Sequence, residues 1–124
     1  MKRKILVVDD NDDIIFSVKA GLEDIQPDFE VIGINNGKKC LKEFSKIKPD
    51  LVLLDVMMPE MNGWVVNKNL KMLPEAKNVP VIFLTALTDN VSKQMGKHGA
   101  ADFIEKPFDI TDLAARINAV LDRK

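Results

Sequence analysis

Asp9 and Asp10 close an apolar run, Asp55 closes a second, Thr85 a third, and Lys106 with Pro107 a fourth. If those runs are neighbouring strands of one sheet, three carboxylates, a hydroxyl and an ammonium share one rim. Carboxylates held a few ångströms apart repel one another unless a cation joins them, and hard oxygen donors of this kind suit Mg²⁺. Three negative charges against Mg²⁺ and one Lys sum to zero, which leaves room for an incoming phosphoryl group if one carboxylate accepts it. Asp55 is the natural acceptor, because it ends the most uniformly apolar run while Asp9 and Asp10 lead into a helix and can hold metal; a carboxylate nucleophile of this type forms an aspartyl phosphate. Lys106 and the Thr85 hydroxyl then help to neutralise charge spreading over the phosphoryl oxygens.

The elements that must position these groups alternate along the chain. Residues 4–8, 29–33, 51–54, 79–84 and 101–104 read as strands, and those at 4–8 and 51–54 are apolar without alternation, as in strands buried on both faces. Between and after them, helical spacing predicts helices over about 14–25, 37–47, 62–73, 89–97 and 110–121, with Asp10 or Asn11, Asn36 and Asn62 available to start the first three. Ile14, Ile15, Val18, Leu22 and Ile25 form the expected inner stripe of the first helix, and Cys40, Leu41, Phe44 and Ile47 that of the second. Strict alternation with short links predicts an α/β, doubly wound parallel sheet with helices on both faces, whose ligands bind beyond the carboxyl ends of the strands.

The chain's 124 residues predict a single domain, 1–124, with no output domain after the final helix. With 18 Lys and Arg against 19 Asp and Glu, the formal charge is -1, so no overall basic field favours direct nucleic-acid or membrane binding. One Cys excludes an internal disulfide and, with no signal or membrane segment evident, cytoplasmic location is expected. Several residues have plain structural readings. Asp12 and Asp13 suit a helix N-terminus, His98 a helix end, Cys40 a buried stripe and Trp64 a half-buried helix start. Asp9 to Asp13 also match the start of a calcium-binding EF-hand loop, but Ile14 and Ala20 stand where that loop needs Gly and Glu.

Val7-Val8-Asp9-Asp10-Asn11, Asp55 to Gly63, Leu84-Thr85-Ala86 and Gly99 to Phe108, in this order and spacing, make the sequence resemble the receiver domain of two-component response regulators over essentially its whole length. The resemblance implies a five-stranded, flavodoxin-like sheet of order 2-1-3-4-5. It implies phosphoryl transfer to Asp55 from a phosphohistidine on a sensor histidine kinase or histidine phosphotransfer protein. Asp9, Asp10, Asp55 and the Met57 backbone carbonyl would hold Mg²⁺; Thr85, Ala86 and Lys106 would contact phosphate; Phe103 would follow Thr85 as the switch aromatic; and Lys106-Pro107 would be a cis peptide. The output face would be the fourth helix, fifth strand and fifth helix, with Val91, Met95 and Phe103 offering a stripe for a downstream protein or a weak phosphorylation-dependent dimer. Apolar Met57 and Leu87, two residues beyond the acceptor and the switch hydroxyl, are expected to hinder water and lengthen the phosphate's life. The competing reading is a Mg²⁺-dependent phosphohydrolase with the same intermediate, but that chemistry wants an acid where Met57 stands.

Overall fold

The structure, a computed structural model, describes residues 2–86 and 99–123. Their order is β1 (Arg3–Val8), α1 (Asp12–Ile25), β2 (Phe29–Ile34), α2 (Gly37–Ile47), β3 (Leu51–Asp55), α3 (Gly63–Lys71), β4 (Val81–Thr85), β5 (Asp102–Glu105) and a C-terminal helix, α4 (Ile110–Leu121). The strands form one parallel sheet in the order β2-β1-β3-β4-β5. This is the doubly wound order expected.

Local chemistry explains where the helices begin. Asn11, Asn36, Asn62 and Asp109 each occupy an extended N-cap, and each side chain accepts a hydrogen bond from a backbone N–H of the first turn. The sheet then divides the apolar residues by strand parity. Ile5, Val7, Leu51, Leu53, Ile82 and Leu84 point to the layer of α1 and α4. Leu6, Val8, Val52, Leu54, Val81 and Phe83 point to the layer of α2 and α3. Each such fully buried side chain contributes roughly 1.5 to 3 kcal/mol over its exposed state, so register is strongly specified. Val8 lies opposite Leu54, and Asp55 opposite Leu84. The residues just beyond these pairs therefore gather at one end of the sheet.

Several boundaries differ from the sequence expectation. β2 runs on to Ile34, β4 begins at Val81 rather than 79, β5 covers Asp102–Glu105 instead of 101–104, and α3 ends at Lys71, with turns taking the chain from Met72 towards Pro80. Ile25 is half exposed rather than part of the inner stripe, because α1 ends there and Gln26 turns to an extended conformation. Cys40 is buried, and Trp64 is half-buried with its ring centroid 4.4 Å from that of Phe83. The helix expected over 89–97, with Leu87, Val91, Met95 and His98, lies outside the described residues.

Candidate phosphoacceptor and metal site

Asp9 follows β1 directly, Asp55 ends the adjoining β3, and Lys106 follows β5. Asp9 and Asp55 are buried; Asp10 is exposed. A carboxylate oxygen from each of Asp9, Asp10 and Asp55 can be chosen so that all three lie within 4.8 Å of one another. The Lys106 ammonium donates to Asp9 Oδ2 at 2.7 Å and sits 3.4 Å from Asp55 Oδ1, so one cation bridges two buried acids. Two backbone donors add to this: Asn11 N–H donates to the other Asp9 oxygen, Oδ1, at 2.9 Å, and Met57 N–H donates to the same Asp55 Oδ1 that faces Lys106, at 3.3 Å.

The electrostatics of this group are unbalanced. Burial, then the neighbouring Asp9 charge, push the Asp55 carboxyl up to about 6, and Lys106 with the Met57 amide only partly opposes them. For Lys106, burial works against its charge, but the Asp9 hydrogen bond and the two carboxylate charges outweigh it and hold the ammonium above its ordinary range. One lysine therefore does not fully compensate this acidic rim. An all-oxygen set with surplus negative charge fits a hard divalent cation such as Mg²⁺.

The surrounding loop is built for close approach. A Cβ on Gly63 would lie 2.3 Å from the Asp55 carbonyl oxygen, so only glycine lets the start of α3 press against the end of β3, where Gly63 N–H donates to Val56 C=O at 2.9 Å. Met57 stands in that loop with its side chain 61% exposed over the rim, while Met58 is buried. Thr85 is buried at the end of β4, and its carbonyl accepts the Lys106 N–H at 2.7 Å. Ala86 is exposed beside it, Phe103 is half-buried on β5, and the Lys106-Pro107 peptide is cis.

Asp9, Asp10, Asp55, Met57, Thr85, Ala86 and Lys106 thus come together at the carboxyl ends of the strands, while Leu87 lies outside the described residues. Sequence reasoning missed a groove of about 470 Å³ beside Lys106, lined by Ile14, Ser17, Val18, Ala86, Phe108 and Ile110 among others. Its walls come from both ends of the chain, and the helical periodicity of α1 signals only an inward stripe.

Comparison with known proteins agrees with this geometry. Residues 5–118 match the family model described as the response regulator receiver domain. The alkaline phosphatase synthesis transcriptional regulatory protein PhoP of Bacillus subtilis is 37% identical over 99% of this chain and 50% of its own length. A probable transcriptional regulator, ycf27, of Pyropia yezoensis is 42% identical over 98% of this chain and 49% of its own. The chain thus spans about half the length of these relatives. The solved structure of chemotaxis protein CheY4 of Vibrio cholerae superposes with a TM-score of 0.89 at 32% identity, covering 97% of this chain and 99% of that one.

Proposed function

The chain belongs to the response regulator receiver family of two-component signalling, a family of phosphorylation-dependent switches, and from that premise we propose that Asp55 is its phosphoacceptor. The observation that carries the reading is the Lys106 bridge between Asp9 and Asp55, which puts a fixed cation beside Asp55, the buried acid in which the middle strand of the sheet ends. A phosphoryl group leaves the imidazole nitrogen of a histidine kinase or histidine phosphotransfer protein and bonds to an Asp55 carboxylate oxygen. Asp9, Asp10, Asp55 and the Met57 carbonyl would hold Mg²⁺, and that ion would supply positive charge to the acceptor and the phosphoryl oxygens. Lys106 then moves its hydrogen bond from Asp9 towards the new phosphate, with the Thr85 hydroxyl and the Ala86 backbone on its other side.

The groove lined by Ile14, Ser17, Phe108 and Ile110 opens next to Lys106 and gives the phosphodonor protein an apolar footing at the acceptor. A phosphate of about -2 charge at Asp55 draws in Thr85, and Phe103 follows it; lacking a hydroxyl, Phe103 signals through shape and burial alone. The readout is a changed face around β5 and α4, offered to a downstream protein or to a second phosphorylated copy. The protein acts in the cytoplasm as a switch rather than as an enzyme on other substrates. Exposed Met57 supports this over a phosphohydrolase, since a thioether cannot protonate a leaving group and instead, with Leu87, keeps water from the phosphate.

The test is incubation with Mg²⁺ and acetyl phosphate, read by intact mass beside Asp55→Asn. A gain of about 80 Da for one phosphoryl group that needs Mg²⁺ and vanishes in the variant is expected. An equal gain in Asp55→Asn would move the acceptor elsewhere. Met57→Asn is expected to shorten the phosphate's half-life, and an unchanged decay rate would remove the shielding role.

A further inference from the structure

The doubly wound fold sorts charge between its two helical layers. On α2 and α3 stand Lys38, Lys39, Lys42, Lys46, Lys68 and Lys71 against Glu43 alone, a net +5. On α1 and α4 stand Asp12, Asp13, Glu23, Asp24 and Asp112 against Lys19 and Arg116, a net -3. A chain whose overall charge is -1 therefore carries one basic face, even with Glu75, whose carboxylate accepts the Ser45 hydroxyl of α2, set against it.

Lys38, Lys39 and Lys42 of α2 are placed against the helix's own interest, whereas Lys46 stands in the last turn and pairs with Glu43. Lys38, Lys42 and Lys46 follow one another at four-residue spacing, where like charges cost roughly 0.2 to 0.5 kcal/mol per pair. Lys38 and Lys39 also occupy the first turn, at the positive end of the helix dipole, while α1 and α4 place acids there. Lys38, Lys39, Lys42 and Lys68 are exposed and make no ion pair with another described residue. Residues that oppose local stability without compensation inside the molecule mark a functional surface.

Apolar groups interrupt this face. Val65, on α3, and Met72, the residue that caps its C-terminus in helical backbone conformation, are 41% and 74% exposed, and their seven-residue spacing puts them on one side, with Lys68 between them along the chain. Helix α3 packs beside α2 closely enough that a Cβ on Gly37 would lie 2.6 Å from Val66 Cγ2, so lysines and apolar groups belong to one continuous surface. We propose that the α2–α3 layer is a docking surface for an acidic amphipathic helix of a partner protein, whose apolar stripe seats on Val65 and Met72 and whose carboxylates meet Lys38, Lys42 and Lys68. Charge complementarity selects an acidic partner, and a pair of anchors one heptad apart suits a helix. Nucleic acid fits less well: α2 and α3 carry no arginine, and Trp64, the half-buried aromatic at the start of α3, is packed on Phe83. Two exposed apolar side chains are too few to anchor a bilayer.

The proposal is independent of Asp55, since its test uses no phosphodonor. The ¹⁵N-labelled chain is titrated with a synthetic helical peptide of about 15 residues, leucine on one face and glutamate on the other, beside polyglutamate, duplex DNA and phosphatidylserine vesicles. Saturable shifts confined to residues 38–46 and 65–72 are expected. The double variant Lys38→Glu and Lys42→Glu should weaken binding about tenfold or more, and Met72→Ser should weaken the leucine-bearing peptide while leaving polyglutamate unchanged. These positions are exposed, and circular dichroism checks that each variant keeps its fold. Shifts on another face, no saturable binding, an unaffected Met72→Ser variant, or tighter binding of DNA or vesicles would overturn the assignment.

Discussion

As the proposed phosphoacceptor, Asp55 faces two demands that oppose each other: acceptance of a phosphoryl group needs it ionised, yet burial and Asp9 push its carboxyl up to about 6 from 3.8. A carboxyl whose folded pKa exceeds its unfolded value binds its proton more tightly in the folded chain. Its contribution to stability is complete below the unfolded pKa and is lost as pH rises through about 6. In metal-free buffer, unfolding by urea should therefore show Asp55→Asn gaining on the wild type between pH 4 and pH 7, by roughly 1 to 3 kcal/mol. Addition of Mg²⁺ at pH 7 should close that gap, because a ligand that binds only the folded state stabilises it. A pH-independent difference would contradict the electrostatic reading of the site. Lys106 acts in the opposite sense. Lys106→Met leaves two buried acids facing each other, and should cost about 3 kcal/mol or more at pH 7 but much less near pH 4, where Asp55 carries its proton and the repulsion is relieved.

At the scale of elements, the loop from β3 to α3 is where backbone geometry constrains the site. Glu60 has φ 65, in the left-handed region that costs a side chain energy, and Gly63 is pressed against backbone. Glu60→Gly should stabilise the chain by about 0.5 to 1 kcal/mol in urea melts, the relieved strain outweighing glycine's extra unfolded-state entropy. Gly63→Ala should destabilise it by about 2 kcal/mol or more, since its Cβ would lie 2.3 Å from the Asp55 carbonyl oxygen and 2.9 Å from Val56 Cα, neither of which is a flexible side chain. Gly63→Ala should also slow phosphorylation by displacing the acceptor. This loop was only partly legible in the sequence. The strands were legible because apolar runs stop abruptly at Asp9 and Asp55, and the rim followed from parallel topology. The end of α3 was not, because Leu73 keeps helical spacing although turns have replaced the helix, and Phe16, 73% exposed, belongs to no stripe. Nor was the charge sorting: lysines that look scattered along the chain join one face only when α2 and α3 pack side by side.

For the whole molecule, an open five-stranded sheet has two edges, and they are treated differently. The β2 edge is closed by α1 and the loop that follows it. Gln26 C=O accepts the Phe29 N–H at 2.9 Å, Glu23 accepts the Val31 N–H at 2.9 Å, and Lys19 donates to the Val31 carbonyl at 2.9 Å. Lys19 and Glu23 also pair with each other at 2.8 Å. The Lys19 hydrogen bond and the Val31 amide hold the Glu23 carboxyl below its usual range, so this closure weakens as pH falls into the carboxylate range. Unpaired strand edges recruit other strands, and charged side chains are one way to prevent it. The double variant Lys19→Ala and Glu23→Ala should therefore self-associate with rising concentration in light scattering, while the wild type at neutral pH does so far less. Identical scattering would show that the pair does not guard the edge. The β5 edge lies at the opposite side of the sheet, next to the half-buried Phe103. A switch that uses the β5 side for output needs β2 silent, because association through β2 would proceed whether or not Asp55 carried phosphate. Phosphorylation should accordingly change the association of the wild type and add little to that of the double variant.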